Sequence, residues 1–224
     1  MFGCLSLTHG KQLEAHELCD FNKQVASIGE SKVPLGFYLS TAFSFAEKRS
    51  LIGENPADEN KASLLALAIF LGSTNFNSVV GAIDEETLQT CQPSGNKIVL
   101  TNRDDLRLHF IYSAALKVIS DSGISFAIGE LKELLDSQEG GSGFSFADLA
   151  ADRSGIRFAE LALDRSGALR IQHMAAELIQ EKVFFPSIAA LPEGIPQRIF
   201  EERGGIESDY YKKYLAIIDD SSSR

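Results

Sequence analysis

The chain of 224 residues has no tryptophan, two methionines, six prolines and three cysteines. Three cysteines cannot build the dense disulfide framework that staples small secreted domains. The chain has no need of one. Hydrophobic residues make up 44% of it, and a chain this long buries roughly 70–75% of the surface it exposes when unfolded. Long apolar runs are also missing. The longest, Leu64–Leu71, falls far short of the roughly 20 residues a membrane-spanning helix requires, so no segment is expected to cross a bilayer.

Clusters of basic residues are lacking too. Lys and Arg number 21 against 31 Asp and Glu, for a net charge of -10, and the cations are scattered among the acids, never more than two together. That excludes nucleic acid as a partner, because phosphate neutralisation requires gathered Lys and Arg. It argues equally against adsorption to an anionic membrane surface. Met1–Gly10 shows neither the basic nor the apolar region of a signal peptide. A Cys4–Cys19 bridge that leaves Cys91 over and three free thiols are both compatible with the spacing.

Strand signals are scarce. Only Lys97–Thr101 reads as β, and one such segment cannot make a sheet alone. Helical periodicity fills the rest: Lys11–Ile28, Pro34 to about Lys48, Lys61–Leu71, Asp104–Ile119, Ser125 to about Ser137, Ser145–Leu163, Ala168–Glu181, and short helices at Gln197–Glu202 and Ser208–Ile218. Gly53–Asn60 and Gln138–Gly143 read as loops, with a turn at Gln92–Asn96. The expected fold is all-α: an irregular helical bundle in a single domain over residues 1–218, with at most a minor β element near 97–101. Asp219–Arg224 reads as a disordered tail.

Polar residues in apolar surroundings concentrate between Asp105 and Glu160. His109 stands among Leu108, Phe110 and Ile111, with Asp105 one turn before it and Ser113 one turn after, on one stripe. Glu130 follows Gly129 in the next helix, and Asp148 and Asp152 share a face of the third. Consecutive helices joined by short turns pack together. The expectation is a cluster of His109, Glu130, Asp148 and Asp152 inside the bundle. Carboxylates crowded in low dielectric cannot all stay charged, so a divalent metal joins them, some hold protons, or the imidazole is protonated. The first outcome makes His109, Glu130 and Asp152 metal ligands; the others make an acid–base pair. Structural roles for the same residues stand beside these. Asp148 lies three residues after Ser145, as in a capping box; Gly129 and Gly155 permit close helix approach; His109 bonds to Asp105 as a core histidine. No phosphate loop, dinucleotide fingerprint, zinc-protease helix or nucleophile elbow is present.

The order Asp105-Leu-Arg-Leu-His109-Phe, then Gly129-Glu130-Leu-Lys-Glu-Leu-Leu-Asp136, then Gly143-Phe-Ser-Phe-Ala-Asp148-Leu-Ala-Ala-Asp152-Arg-Ser-Gly155 resembles the VanZ-like and YfiM-like bacterial envelope proteins over about residues 104–160. The resemblance implies a periplasmic or envelope location, with the cytoplasm as the alternative, and marks His109, Glu130, Asp148 and Asp152. It does not carry membrane embedding over, since Arg107, Lys117, Lys132 and Arg157 interrupt these helices. Two functions fit: an envelope-associated scaffold or binding protein with a buried His/carboxylate cluster and a protein or envelope component as partner, or a metal-assisted or acid–base hydrolase using those four residues.

Overall fold

The computed structural model describes residues 19–20, 32–72, 98–121, 143–177 and 179–222. The expected helices at Lys11–Ile28 and Ser125–Ser137, the turn at Gln92–Asn96 and most of the Gln138–Gly143 connection lie outside those residues, as does Glu130.

Helix α1 (Leu35–Leu51) begins directly after Pro34, whose fixed φ of -60° sets the entry, and ends on Lys48 and Arg49, cations suited to the negative end of the helix dipole. Helix α2 (Pro56–Leu67) starts earlier than the sequence reading had it. Asn55 caps it, its Oδ1 accepting from Ala57 N at 3.0 Å and Asp58 N at 3.2 Å, with Pro56 in the first turn. The polar run Gly53–Asn60 is therefore loop only up to Asn55. Its remainder is a helical first turn, in which Asp58 and Glu59 meet the positive end of the dipole. Glu59 is buried against Arg49, Nε to Oε2 at 2.6 Å, and so fastens α2 to α1.

A π-helical turn, Ala68–Gly72, continues α2. Arg107 is buried beneath it, and its Nη1 donates to Leu71 O at 2.7 Å. A π turn leaves carbonyls out of the regular ladder, and a guanidinium meets one of them here.

Helices α3 (Asp104–Asp121) and α4 (Phe146–Leu163) form the most extensive helix pair. Gly155 sets their separation: a Cβ there would lie 2.1 Å from Phe110 O, so the backbones touch where any side chain would part them. Helix α5 (Ala168–Ala176) packs on α1. It stops short of the expected Glu181 because α1 captures the chain: Ser40 Oγ donates to Glu177 O at 3.1 Å and accepts from Ile179 N at 3.1 Å. Buried Asn60 holds the α4–α5 corner, its Nδ2 donating to Ala162 O and Ala168 O.

Short helices α6 (Glu181–Phe184) and α7 (Gln197–Glu202) precede the 3₁₀ turn Gly205–Glu207 and helix α8 (Asp209–Ser222). The last of these corrects the expected tail. Asp219–Ser222 is helical, and Arg153 on α4 donates from Nε to Asp219 at 2.7 Å. Tyr214 of the same helix packs on buried Phe146 with ring centroids 4.8 Å apart. An ion pair and an aromatic anchor hold a stretch that composition alone marks as loose.

The β element is as small as expected. Strand β1 (Val33–Pro34) pairs in parallel with β2 (Ile98–Val99), Val33 opposite Ile98 and Pro34 opposite Val99. The fold is all-α, a helical bundle around one apolar cluster. Among the described residues no helix is long and apolar enough to cross a membrane.

Candidate functional site: a histidine between two aspartates

Leu100–Arg103 makes a tight turn before α3 begins. Thr101 and Asn102 both adopt left-handed backbone, with φ of 50° and 65°, and Leu100 and Arg103 exchange both backbone hydrogen bonds. Left-handed conformation at a β-branched threonine is strained. The strain is held by partners: Thr101 N donates to Glu181 Oε2 at 3.1 Å, and Lys32 Nζ donates to Asn102 O at 3.3 Å. The turn delivers Arg103 to the mouth of the α3–α4 seam.

Within the seam, His109 and Ser113 lie one turn apart on α3 and face Asp152 on α4. His109 Nδ1 is 3.1 Å from Asp152 Oδ1, and Ser113 Oγ donates to the same oxygen at 2.7 Å. The other ring nitrogen, Nε2, faces Asp148 Oδ2 at 3.9 Å, too long for a hydrogen bond. Asp148 is placed by its cap: Ser145 Oγ accepts from Asp148 N at 3.1 Å. The sequence reading of a capping arrangement and that of a cluster member hold together. Asp148 Oδ1 is enclosed and has no hydrogen-bond partner; Arg103 Nη2 stands 3.6 Å from it. The three side chains are partly open to solvent, at 29% for His109, 25% for Asp148 and 32% for Asp152, so small solutes reach them.

Arg103 is the cluster's fixed cation. It donates bidentately to Asp105, Nη2 to Oδ2 at 2.5 Å, and through Nη1 to Glu193 at 2.5 Å. Those bonds raise the guanidinium pKa further, against an opposing effect of burial. Asp105 therefore does not bond His109, as the core-histidine reading had it. It turns to Arg103, which overcomes burial and holds its carboxyl below the usual range.

Opposing forces act on His109. Burial favours the neutral ring, but the bond to Asp152 and the charges of Asp152, Asp148 and Asp105 outweigh it and raise the pKa. Asp148 is also raised, chiefly by burial and then by the charge of Asp105, while His109, Ser145 and Arg103 pull the other way. Imidazole and carboxyl thus face each other across 3.9 Å, each shifted towards its protonated form. Such a pair exchanges protons with a bound group more readily than two unperturbed side chains would.

Of the sequence-predicted residues, His109, Asp148 and Asp152 come together; Glu130 lies outside the described residues. The donor set does not favour a cation. Nδ1 of His109 is taken by Asp152, Arg103 already lies against Asp105 and Asp148, and among the described residues no three His, Cys, Asp or Glu groups stand in metal-ligating arrangement. Sequence reasoning missed Arg103 and Glu193. Arg103 is one residue ahead of the helix, and only the turn geometry directs it inward. Glu193 arrives from the distant loop before α7 and carries no local signal. No family model, curated protein or solved structure matches the chain.

Proposed function

We propose that His109, oriented by Asp152 and facing Asp148, forms a general acid–base centre that hydrolyses a small polar substrate with water as the nucleophile. The unequal use of the two imidazole nitrogens carries this reading. Nδ1 is tied to an acceptor-only carboxylate, which places the proton there in the neutral ring and leaves the lone pair on Nε2, which makes no hydrogen bond to Asp148 at 3.9 Å. Water then loses a proton to Nε2, its oxygen bonds to the electrophilic atom of the substrate, and the imidazolium returns the proton to the leaving group. Asp148 stabilises the imidazolium between those transfers.

An envelope location for this activity is part of the same proposal, as the resemblance read from residues 104–160 implies. Cys19 is disulfide-bonded, which supports an oxidising compartment in the same way.

A second reading has its own observation. Ser113 and His109 both bond Asp152 Oδ1 and so cross-link α3 to α4; in a scaffold protein that lock is the whole role of the cluster. One experiment separates the two. The purified chain is assayed against chromogenic carboxylic esters, phosphoesters and peptide anilides, with His109→Gln and Asp152→Ala alongside. A hydrolytic centre gives turnover that falls about 10²–10⁴-fold in His109→Gln, well beyond what the change in unfolding midpoint at the assay pH accounts for. A scaffold gives no turnover above buffer, or turnover indifferent to His109→Gln, and only the loss of stability in Asp152→Ala, about 1–3 kcal/mol for orphaned partners.

A further inference from the structure

On the far side of α4 from Asp152 a cleft of about 350 Å³ opens between α4, α5 and the segment around α6, within the range of small-molecule sites. From α4 it takes Ser154, Arg157, Phe158 and Leu161, the i, i+3, i+4, i+7 stripe of one helical face. Ile171 and Met174 close it from α5, and Phe184 and Phe185 from the α6 side. The polar side chains on its wall are Ser154, Arg157 and Lys182.

Two observations give the cleft chemical character. The first is Ser154, 2% exposed, whose Oγ has no hydrogen-bond partner. A serine within a helix ordinarily returns its hydroxyl to the carbonyl one turn back. This one does not, and a buried hydroxyl left unpaired is costly. The second is charge. In a chain of net charge -10, the cleft wall carries two cations and no carboxylate. Of the nearby acids, Glu160 divides between Arg157 and Lys117 at 3.5 Å each, so that Arg157 is partly compensated, and Glu181 accepts from Thr101 N. Apolar side chains continue to the surface, where Met174 is 39% exposed and Val183 51%.

We infer that this cleft binds a single-chain acyl carboxylate. The carboxylate accepts from the Ser154 hydroxyl and lies against Arg157, one helical turn away, and Lys182; the chain runs over Phe158, Leu161, Ile171 and Met174. The volume admits one chain and not a two-chain lipid. A neutral amphiphile leaves the cations unused, and a cationic one is repelled by them.

The test is calorimetric titration of the full chain with decanoate, decanol and decyltrimethylammonium, all below their aggregation limits. Expected is saturable 1:1 binding of decanoate, with decanol and the ammonium each at least about fivefold weaker. Lys182→Glu weakens decanoate by about the same factor and leaves decanol unchanged. Ser154→Ala also weakens decanoate, yet leaves the melting temperature equal or higher, because removing an unpaired buried hydroxyl relieves a cost. A purely structural serine would show the opposite pattern, with stability lost and affinity kept. Absence of saturable decanoate binding, equal binding of all three amphiphiles, or decanoate binding untouched by Lys182→Glu each overturns the inference.

Discussion

At the scale of single residues, His109 is governed by which of its neighbours hold charge. Its pKa is raised above 6.5 in the folded chain, net of a burial effect that acts the other way. A group whose folded pKa exceeds its unfolded value stabilises the protein below the unfolded pKa, and that contribution is lost as pH rises through the folded one. Asp152 and Asp148 are the partners that supply it. Replacing His109 by glutamine should therefore cost more stability in acid solution, below the unfolded value, than in alkaline solution, where the imidazole is neutral in both states. Urea unfolding in both solutions measures this; a constant difference, or one growing with pH, would mean that the imidazole is not held charged by the aspartates. The sequence made part of this legible. His109 and Ser113 share a stripe by simple helical spacing, and so do Asp148 and Asp152. Which acid the histidine would choose was not legible, because Asp105 on its own helix is nearer in sequence than Asp152. The choice depends on Arg103, which removes Asp105 from contention, and Arg103 is aimed by two left-handed residues whose neighbours are remote.

Among helices, the seam between α3 and α4 depends on a missing side chain. Gly155 lies against Phe110 O so closely that a Cβ would stand 2.1 Å away, and it would also crowd Ala114 N at 3.1 Å. Both contacts are backbone of α3, which cannot swing aside as a flexible side chain can. Gly155→Ala should lose about 1–3 kcal/mol by overpacking, although alanine is the better helix former by nearly 1 kcal/mol in an open position. The sign of the change therefore separates packing from propensity, and chemical denaturation reads it directly. The same substitution displaces Asp152, three residues earlier on α4, from His109, so any activity of the cluster should fall with stability. Helix existence was readable from periodicity in nearly every described segment. Helix ends were less so. The start of α2 was hidden by three polar residues, Asp58, Glu59 and Asn60, that belong equally to a loop or to a well-capped first turn, and Asn55 with Pro56 decides between them. The ends of α5 and α8 depend on Ser40 and Arg153, tertiary partners that no local window contains.

For the whole molecule, the open matter is the environment in which the chain folds, and its cysteines report on that. Cys19 is 3% exposed, belongs to the apolar cluster and is disulfide-bonded. The chain has three cysteines, so an intrachain bridge at Cys19 leaves one thiol over. Titration of the denatured, unreduced protein should find one thiol per chain, rising to three after reduction. Peptide mapping then names the partner. That identity has an energetic consequence, because a bridge limits the unfolded chain in proportion to the loop it closes. Cys4 would close a short loop, worth about 3 kcal/mol on the chain-entropy view, and Cys91 a much longer one, worth about 4–5 kcal/mol. Reduction should lower the unfolding free energy by the corresponding amount while leaving the α3–α4 seam, which has no cysteine, intact in its contacts. A chain that depends on the bridge to this extent would be marginal in a reducing compartment, and its natural setting would then be an oxidising one. Three titratable thiols in protein made under oxidising conditions would instead remove the argument for that setting.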